Sequence, residues 1–173
     1  MGVTVDSEDA AYDMYKAYAH GIGFSVRRGK NRYVSGTKDI RCKDFYYSKE
    51  GFKEFEDGIN MKQYNKLETR TGCSAMIRFT VQDNHWTITR FISEHNHELA
   101  TPSKRHLLRS SRSLSTAKAD VISSMVSAGI RPTDVYSYLS KEACGYENIG
   151  FTKRDCYNYV NKQKMMVIEA RDG

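Results

Sequence analysis

CSAMIRFTVQDNHWTITRFISEHNHEL, residues 73–99, is the stretch that decides the fold. Ala75, Ile77, Phe79 and Val81 alternate with Met76, Arg78, Thr80 and Gln82. A period of two places the first set on one face of an extended strand and the second set on the other. Asp83-Asn84 makes a turn, and WTITRFI resumes the pattern with Trp86 and Ile88. Two alternating runs joined by a polar turn predict an antiparallel hairpin with one buried face. EHNHEL follows the hairpin at once.

Working upstream, residues 24–47 carry Phe24, Val26, Tyr33, Val34 and Ile40 in patterns that predict short strands, with turns at Asn31 and Ser35-Gly36. Residues 8–20 predict a first helix: Asp6 or Ser7 caps it, Glu8 and Asp9 suit its positive end, and Gly21 and Gly23 stop it. Residues 48–69 are polar and mixed in charge, and read as a long insertion with a short helical turn near 52–57. Downstream, residues 101–118 hold Lys104, Arg105, Arg109, Arg112 and Lys118 among serines with no acid, the composition of a basic linker. The remainder predicts three short helices. One is capped at Ser115 or Thr116, one opens at Pro132, and one opens at Thr152 with Asp155 at capping-box spacing. The expected organisation is a β-rich unit over 1–100, a linker over 101–118 and a helical module over 119–173.

Cys42, Cys73, His95 and His97 are the candidate metal ligands. Zinc in structural sites takes four convergent soft or borderline donors, commonly two Cys and two His. The order here is Cys-x30-Cys-x21-His-x-His. In an extended chain His95 and His97 point the same way and can face one ion, with Asn96 turned away. The expected cofactor is one structural Zn²⁺ clamping the hairpin end to the strand that ends at Cys42. The alternative is four unrelated residues, since a long Cys–Cys gap is a weak spacing signal. Cys144 and Cys156 have no His nearby and read as small apolar residues; His20 and His85 read as surface or satisfied core residues.

The chain of 173 residues carries a net charge of +6, which points to a polyanionic partner. Seven of its cations, Arg27, Arg28, Lys30, Arg32, Lys38, Arg41 and Lys43, sit in residues 24–47 against Asp39 and Asp44. Arg27, Arg28, Lys30 and Arg32 are the candidates for base edges in a DNA major groove, with Asn31 for adenine or for a turn. Arg pairs with guanine, so a G-containing duplex site is expected. Lys38, Arg41, Lys43, Arg70 and Arg78 are the candidates for phosphates. Lys104, Arg105, Arg109 and Arg112 suit phosphate contact or a nuclear-import signal. For every one of these the alternative is a solvated surface charge. No apolar run approaches the ~20 residues of a membrane span, and the acidic start has no signal-peptide core, so an intracellular chain without a membrane partner is expected.

These residues also carry a family pattern. The stretch Phe24–Leu99, through GFSVRR, Cys42, TRTGCSAMIRF, WTITRF and HNHEL, resembles the zinc-finger domain of the plant FAR-RED IMPAIRED RESPONSE / FAR-RED ELONGATED HYPOCOTYL family, of the WRKY–GCM superfamily. SAGIRPTDVYSYL and GFTKRDCYNYV resemble the same family further on. The resemblance implies an α+β fold: an antiparallel zinc-finger sheet with an N-terminal helix, then a helical module at the start of a transposase-like region. It implies a nuclear, sequence-specific DNA-binding transcription regulator derived from Mutator-like transposases, active in light signalling, not itself an enzyme, and able to pair with family members. It maps the zinc ligands onto Cys42, Cys73, His95 and His97, and the groove-reading strand onto GFSVRRGKNRY. The WRKYGQK heptad is absent, so that base preference does not carry over. The competing readings are a transposase or nuclease DNA-recognition fragment, and a protein-interaction or dimerisation module.

Overall fold

The structure, a computed structural model, describes residues 3–52 and 70–170. The chain divides into two compact units, Met1–Ala100 and Thr101–Gly173. The helical turn expected near 52–57 lies almost wholly outside the described residues.

In the first unit, β1 (Thr4–Val5), α1 (Glu8–Ile22), β2 (Val26–Tyr33), β3 (Ile40–Tyr47), β4 (Met76–Gln82) and β5 (His85–Ile92) follow in chain order. The strands form one antiparallel sheet ordered β1-β5-β4-β3-β2, which leaves β2 at an edge. Helix α1 starts where the Ser7 hydroxyl accepts from the Ala10 amide at 3.1 Å, with Glu8 and Asp9 in the first turn. It buries Ala11, Tyr15 and Ala19 and ends at Gly23, whose φ of 109° L side chains rarely adopt. A Cβ on Gly23 would also meet the Ala100 carbonyl oxygen at 2.3 Å, because Ala100 donates its amide to the Gly23 carbonyl at 2.8 Å. The segment after the hairpin is thus strapped to the helix end.

The predicted hairpin is β4–β5, turning through Asp83 and Asn84, both at positive φ. Two left-handed residues give the turn whose twist suits a tight hairpin, and Asp and Asn tolerate that geometry. Ala75, Ile77 and Phe79 go into the core with Trp86, as the alternation predicts. Met76 was expected on the outer face, yet it is buried, between Tyr46 and Ile92 in the register. Phe24, Phe45 and Tyr15 complete the core beneath α1. Strand β1 has no counterpart in the sequence reading.

In the second unit, the segment expected as a linker carries short 3-10 turns at Pro102–Leu107 and Arg109–Ser111. Helices α2 (Thr116–Ser127), α3 (Pro132–Glu142) and α4 (Lys153–Glu169) pack around Ile122, Val135, Leu139, Ile149, Phe151, Cys156 and Val160. Thr152 and Asp155 form the capping box that the spacing predicts. Cys156 is indeed a buried apolar residue, whereas Cys144 is exposed.

Candidate metal centre and basic sheet edge

Cys73, His95 and His97 converge at the end of the β4–β5 hairpin, with one donor atom from each inside a 4.8 Å span. Cys73 is buried just before β4, and its Sγ lies 3.5 Å from His95 Nδ1. His97 Nδ1 sits 2.8 Å from the Glu98 carbonyl. Donation of the Nδ1 hydrogen to that carbonyl leaves Nε2 with a free lone pair, as outer partners do for metal-binding histidines. Nε2 of His95 and Nε2 of His97 are both buried without a hydrogen-bond partner among the described residues. Two such orphans at one place are uncommon unless something else satisfies them. Burial first, and then the neighbouring His97, hold His95 below the ordinary histidine pKa. Its ring therefore stays neutral, which is the form that binds a metal. One thiol and two imidazoles suit zinc.

The expected fourth donor, Cys42, is not in this cluster. Cys42 faces Thr80 in the β3–β4 register, whereas the Tyr47 amide, five positions further along β3, bonds the Ala75 carbonyl beside Cys73. Five strand residues span roughly 16 Å. The parity differs too: Cys42 shares a face with Asp44 and Tyr46, while Tyr47 shares the core face with Phe45. Tyr47 is the residue that meets the histidines. Its ring stacks on His97, centroids 4.8 Å apart at 23°, and meets His95 edge-on at 5.5 Å. Burial, and then the neighbouring Cys73, push the Tyr47 phenol up to about 12.

The basic edge lies on β2 and β3. The β2–β3 register slips between Arg28 and Asn31, around Gly29. A Cβ on Gly29 would meet the Tyr46 ring at 2.5 Å and the Asp44 carbonyl at 2.7 Å, so the bulge depends on glycine. On the outer face, Asp44 is a buried carboxylate. It accepts from Arg78 Nε at 2.6 Å and Nη2 at 2.8 Å, from Tyr46 Oη at 2.8 Å and from Arg32 Nη2 at 3.2 Å. Burial alone would raise its pKa. The hydrogen bonds of Arg78 and Tyr46, with the charges of Arg78 and Arg32, more than offset that and hold it below the usual carboxylate value.

Many of the ten predicted DNA-facing residues are already engaged. Arg28 pairs with Glu8 at 2.6 Å and Asp9 at 2.7 Å and lies over the Tyr12 ring. It ties β2 to α1. Lys43, also predicted to hold phosphate, is buried, bonded to Asn31 and 3.4 Å from Glu8. Arg27 pairs with Glu50 and lies over Tyr46. Arg78 is held by Asp44, and Arg70 donates to the Phe52 carbonyl at 3.2 Å. Lys30, Lys38 and Arg41 are exposed and carry no ion pair among the described residues.

Residues 13–101 match the model of the FAR1 DNA-binding domain, just over half of the chain. The chain belongs to the FAR1 family. Among curated relatives, Protein FAR1-RELATED SEQUENCE 5 of Arabidopsis thaliana is 35% identical over 98% of this chain and 22% of its own length. Protein FAR-RED IMPAIRED RESPONSE 1 of the same plant is 27% identical over 99% of this chain and 21% of its length. FAR1-RELATED SEQUENCE 11 is 29% identical over 92% and 25%. The chain thus spans about a fifth to a quarter of the length of these FAR1-family proteins. No solved structure matches it.

Within this FAR1-family chain, two features escaped the sequence reading. Tyr47 at the metal cluster is one, although strand parity pointed to it. Arg90 is the other: it is exposed and faces Arg78 across β4–β5, on the side of the sheet that carries Asp44. In the second unit, Arg112 is not a free phosphate ligand. It donates to Asp155 at 2.7 Å and to Thr152 at 3.1 Å, which fastens it to the capping box of α4. Lys104 and Arg109 are exposed, and Arg105 is half-buried.

Proposed function

We propose that the first unit is a double-stranded DNA-binding module of a nuclear transcription regulator of WRKY–GCM zinc-finger type, with zinc in a structural role. Cys73, His95 and His97 hold the ion, and the bulged β2 edge enters a major groove. One observation carries this reading: an edge strand bulged around Gly29 that carries the exposed Lys30 and Arg32, in the same unit as a Cys/His cluster. The match to the FAR1 DNA-binding domain supports it. Lys30 and Arg32 are the base-reading candidates. Lys38, Arg41 and Arg90 suit phosphates, and Lys104, Arg105 and Arg109 suit phosphates or nuclear import. Arg28 and Lys43 act through the fold by joining the sheet to α1. A role in light-responsive genes rests on the name of the relative FAR-RED IMPAIRED RESPONSE 1.

Selection of bound duplexes from a random pool, with and without a zinc chelator, tests the reading. A G-containing consensus is expected, and chelation should erase it. Lys30→Ala and Arg32→Ala should each weaken binding to the selected site by about 1–3 kcal/mol, while Lys38→Ala should reduce the salt slope by about one. Equal binding by the Lys30→Ala/Arg32→Ala double variant would remove β2 from the groove. Cleavage of the duplex when Mg²⁺ is added would favour the nuclease alternative instead.

The second unit supports a second reading, as a self-association surface. Met165, Met166, Val167 and Ile168 are all exposed near the end of α4. Sedimentation of the chain should show a dimer that Ile168→Asp converts to a monomer. A monomer at high concentration discards this reading.

A further inference from the structure

We infer that the Cys and His residues of this chain offer zinc three donors rather than four, and that Tyr47 walls the fourth side of the ion as a ring, not as a ligand. The inference rests on the zinc reading above and concerns what this particular chain does with that site. Every Cys and His of the sequence lies among the described residues, so the inventory of soft donors is complete. Among the described residues, only Cys73, His95 and His97 converge. Cys42 lies toward the far end of β3 against Thr80, on the opposite face of the sheet. No rotamer of Cys42 crosses that sheet.

The fourth side is not bare. Tyr47 is buried, stacks nearly parallel to His97 and stands edge-on to His95. Phe24 closes on His95 from another direction at 4.8 Å. A ring stacked nearly parallel on an imidazole presents its π-face to it, an arrangement set by packing rather than by aiming an oxygen donor. The same position carrying a thiol would complete the two-Cys, two-His set of closed structural sites. With three protein donors the remaining coordination position goes to a small exogenous donor, such as water or a free thiol. Such a site binds zinc more weakly than a closed one and exchanges it more readily, so occupancy follows the free zinc level.

Cobalt(II) titration of the whole chain, followed by zinc back-titration, reads the donor set from the spectrum. Wild type should show a thiolate-to-cobalt band of one-sulfur intensity. Cys42→Ser and Tyr47→Phe should leave both the band and the affinity unchanged, and Cys73→Ser should abolish the band. Tyr47→Cys should double the band and tighten binding at least tenfold. A wild-type band of two-sulfur intensity that Cys42→Ser halves would overturn the inference while leaving the zinc reading intact. So would a changed spectrum in Tyr47→Phe, which would make the phenol a ligand. Failure of wild type and Tyr47→Cys alike to bind cobalt would instead remove the zinc reading beneath it.

Discussion

Asp44→Ala is expected to lower the stability of the first unit by about 3 kcal/mol, read as an earlier midpoint in urea at pH 7. Breaking a buried ion pair by deleting one partner costs ~3–5 kcal/mol, because the surviving charge is left without compensation. The low end applies here, since the Arg78 side chain is 25% exposed and Arg32 is 49% exposed, whereas Asp44 is 2% exposed. The pH dependence has a definite sign. The Asp44 pKa is lowered on folding, so its carboxylate contributes stability above the unfolded value of ~3.9 and loses it as pH falls through the folded value. The gap between wild type and Asp44→Ala should therefore narrow on acidification below about pH 4. Equal urea midpoints at pH 7 would show that Arg78 and Arg32 need no counter-charge. The consequence reaches function: Asp44 holds Tyr46 and Arg32, and Tyr46 backs Arg27 and the Gly29 bulge. Without it, the edge strand proposed for the groove loses its support.

The hairpin was readable because its signal is local. Eight alternating residues, a turn that tolerates left-handed backbone and a resumed run need nothing from the rest of the chain. The capping box at Thr152–Asp155 is readable for the same reason. Strand β1 was not, because two residues hold no periodicity, and Thr4–Val5 is a strand only by pairing with Thr87 and Trp86. The candidate metal site divides along the same line. His-x-His after a strand is a local pattern, and its two rings do converge with Cys73. Cys42 depends on register, which spacing does not contain. Parity was the usable clue: if Phe45 faces the core, so does Tyr47, and Cys42 does not. Charge fails differently. The seven cations of residues 24–47 can be counted in the sequence, but their counter-ions cannot. Glu8 and Asp9 come from a helix about twenty positions away, and they turn Arg28 from a base-reading candidate into a bond between sheet and helix.

Removal of zinc is expected to destabilise the first unit from one end. At a free zinc level a thousandfold above Kd, an ion that binds only the folded state adds about 4 kcal/mol, so excess chelator should remove that much from wild type. Cys73→Ala should start from the lower value and show no chelator effect, because its remaining imidazoles cannot hold the ion tightly. Heat or urea unfolding of both proteins with and without chelator measures this. Identical wild-type curves in the two conditions would sink the structural role of zinc. The loss should also be local. The Thr71 amide reaches back to the Lys49 carbonyl, Asn96 Nδ2 donates to the Thr71 carbonyl at 2.8 Å, and the Ala100–Gly23 bond straps the following segment to α1. Through these bonds an ion held at the cluster would join the ends of β3 and β4 to the helix. The Asp83–Asn84 turn, at the far end of the same hairpin, is held by its own ladder and by the pairing of β1 with Trp86 and Thr87. Amide exchange should therefore quicken at Tyr47, Thr71, Cys73 and Ala100 when zinc is withdrawn and stay unchanged at Val81 and Trp86. A uniform acceleration across both ends would mean that the ion sets the stability of the whole sheet rather than clamping one edge of it.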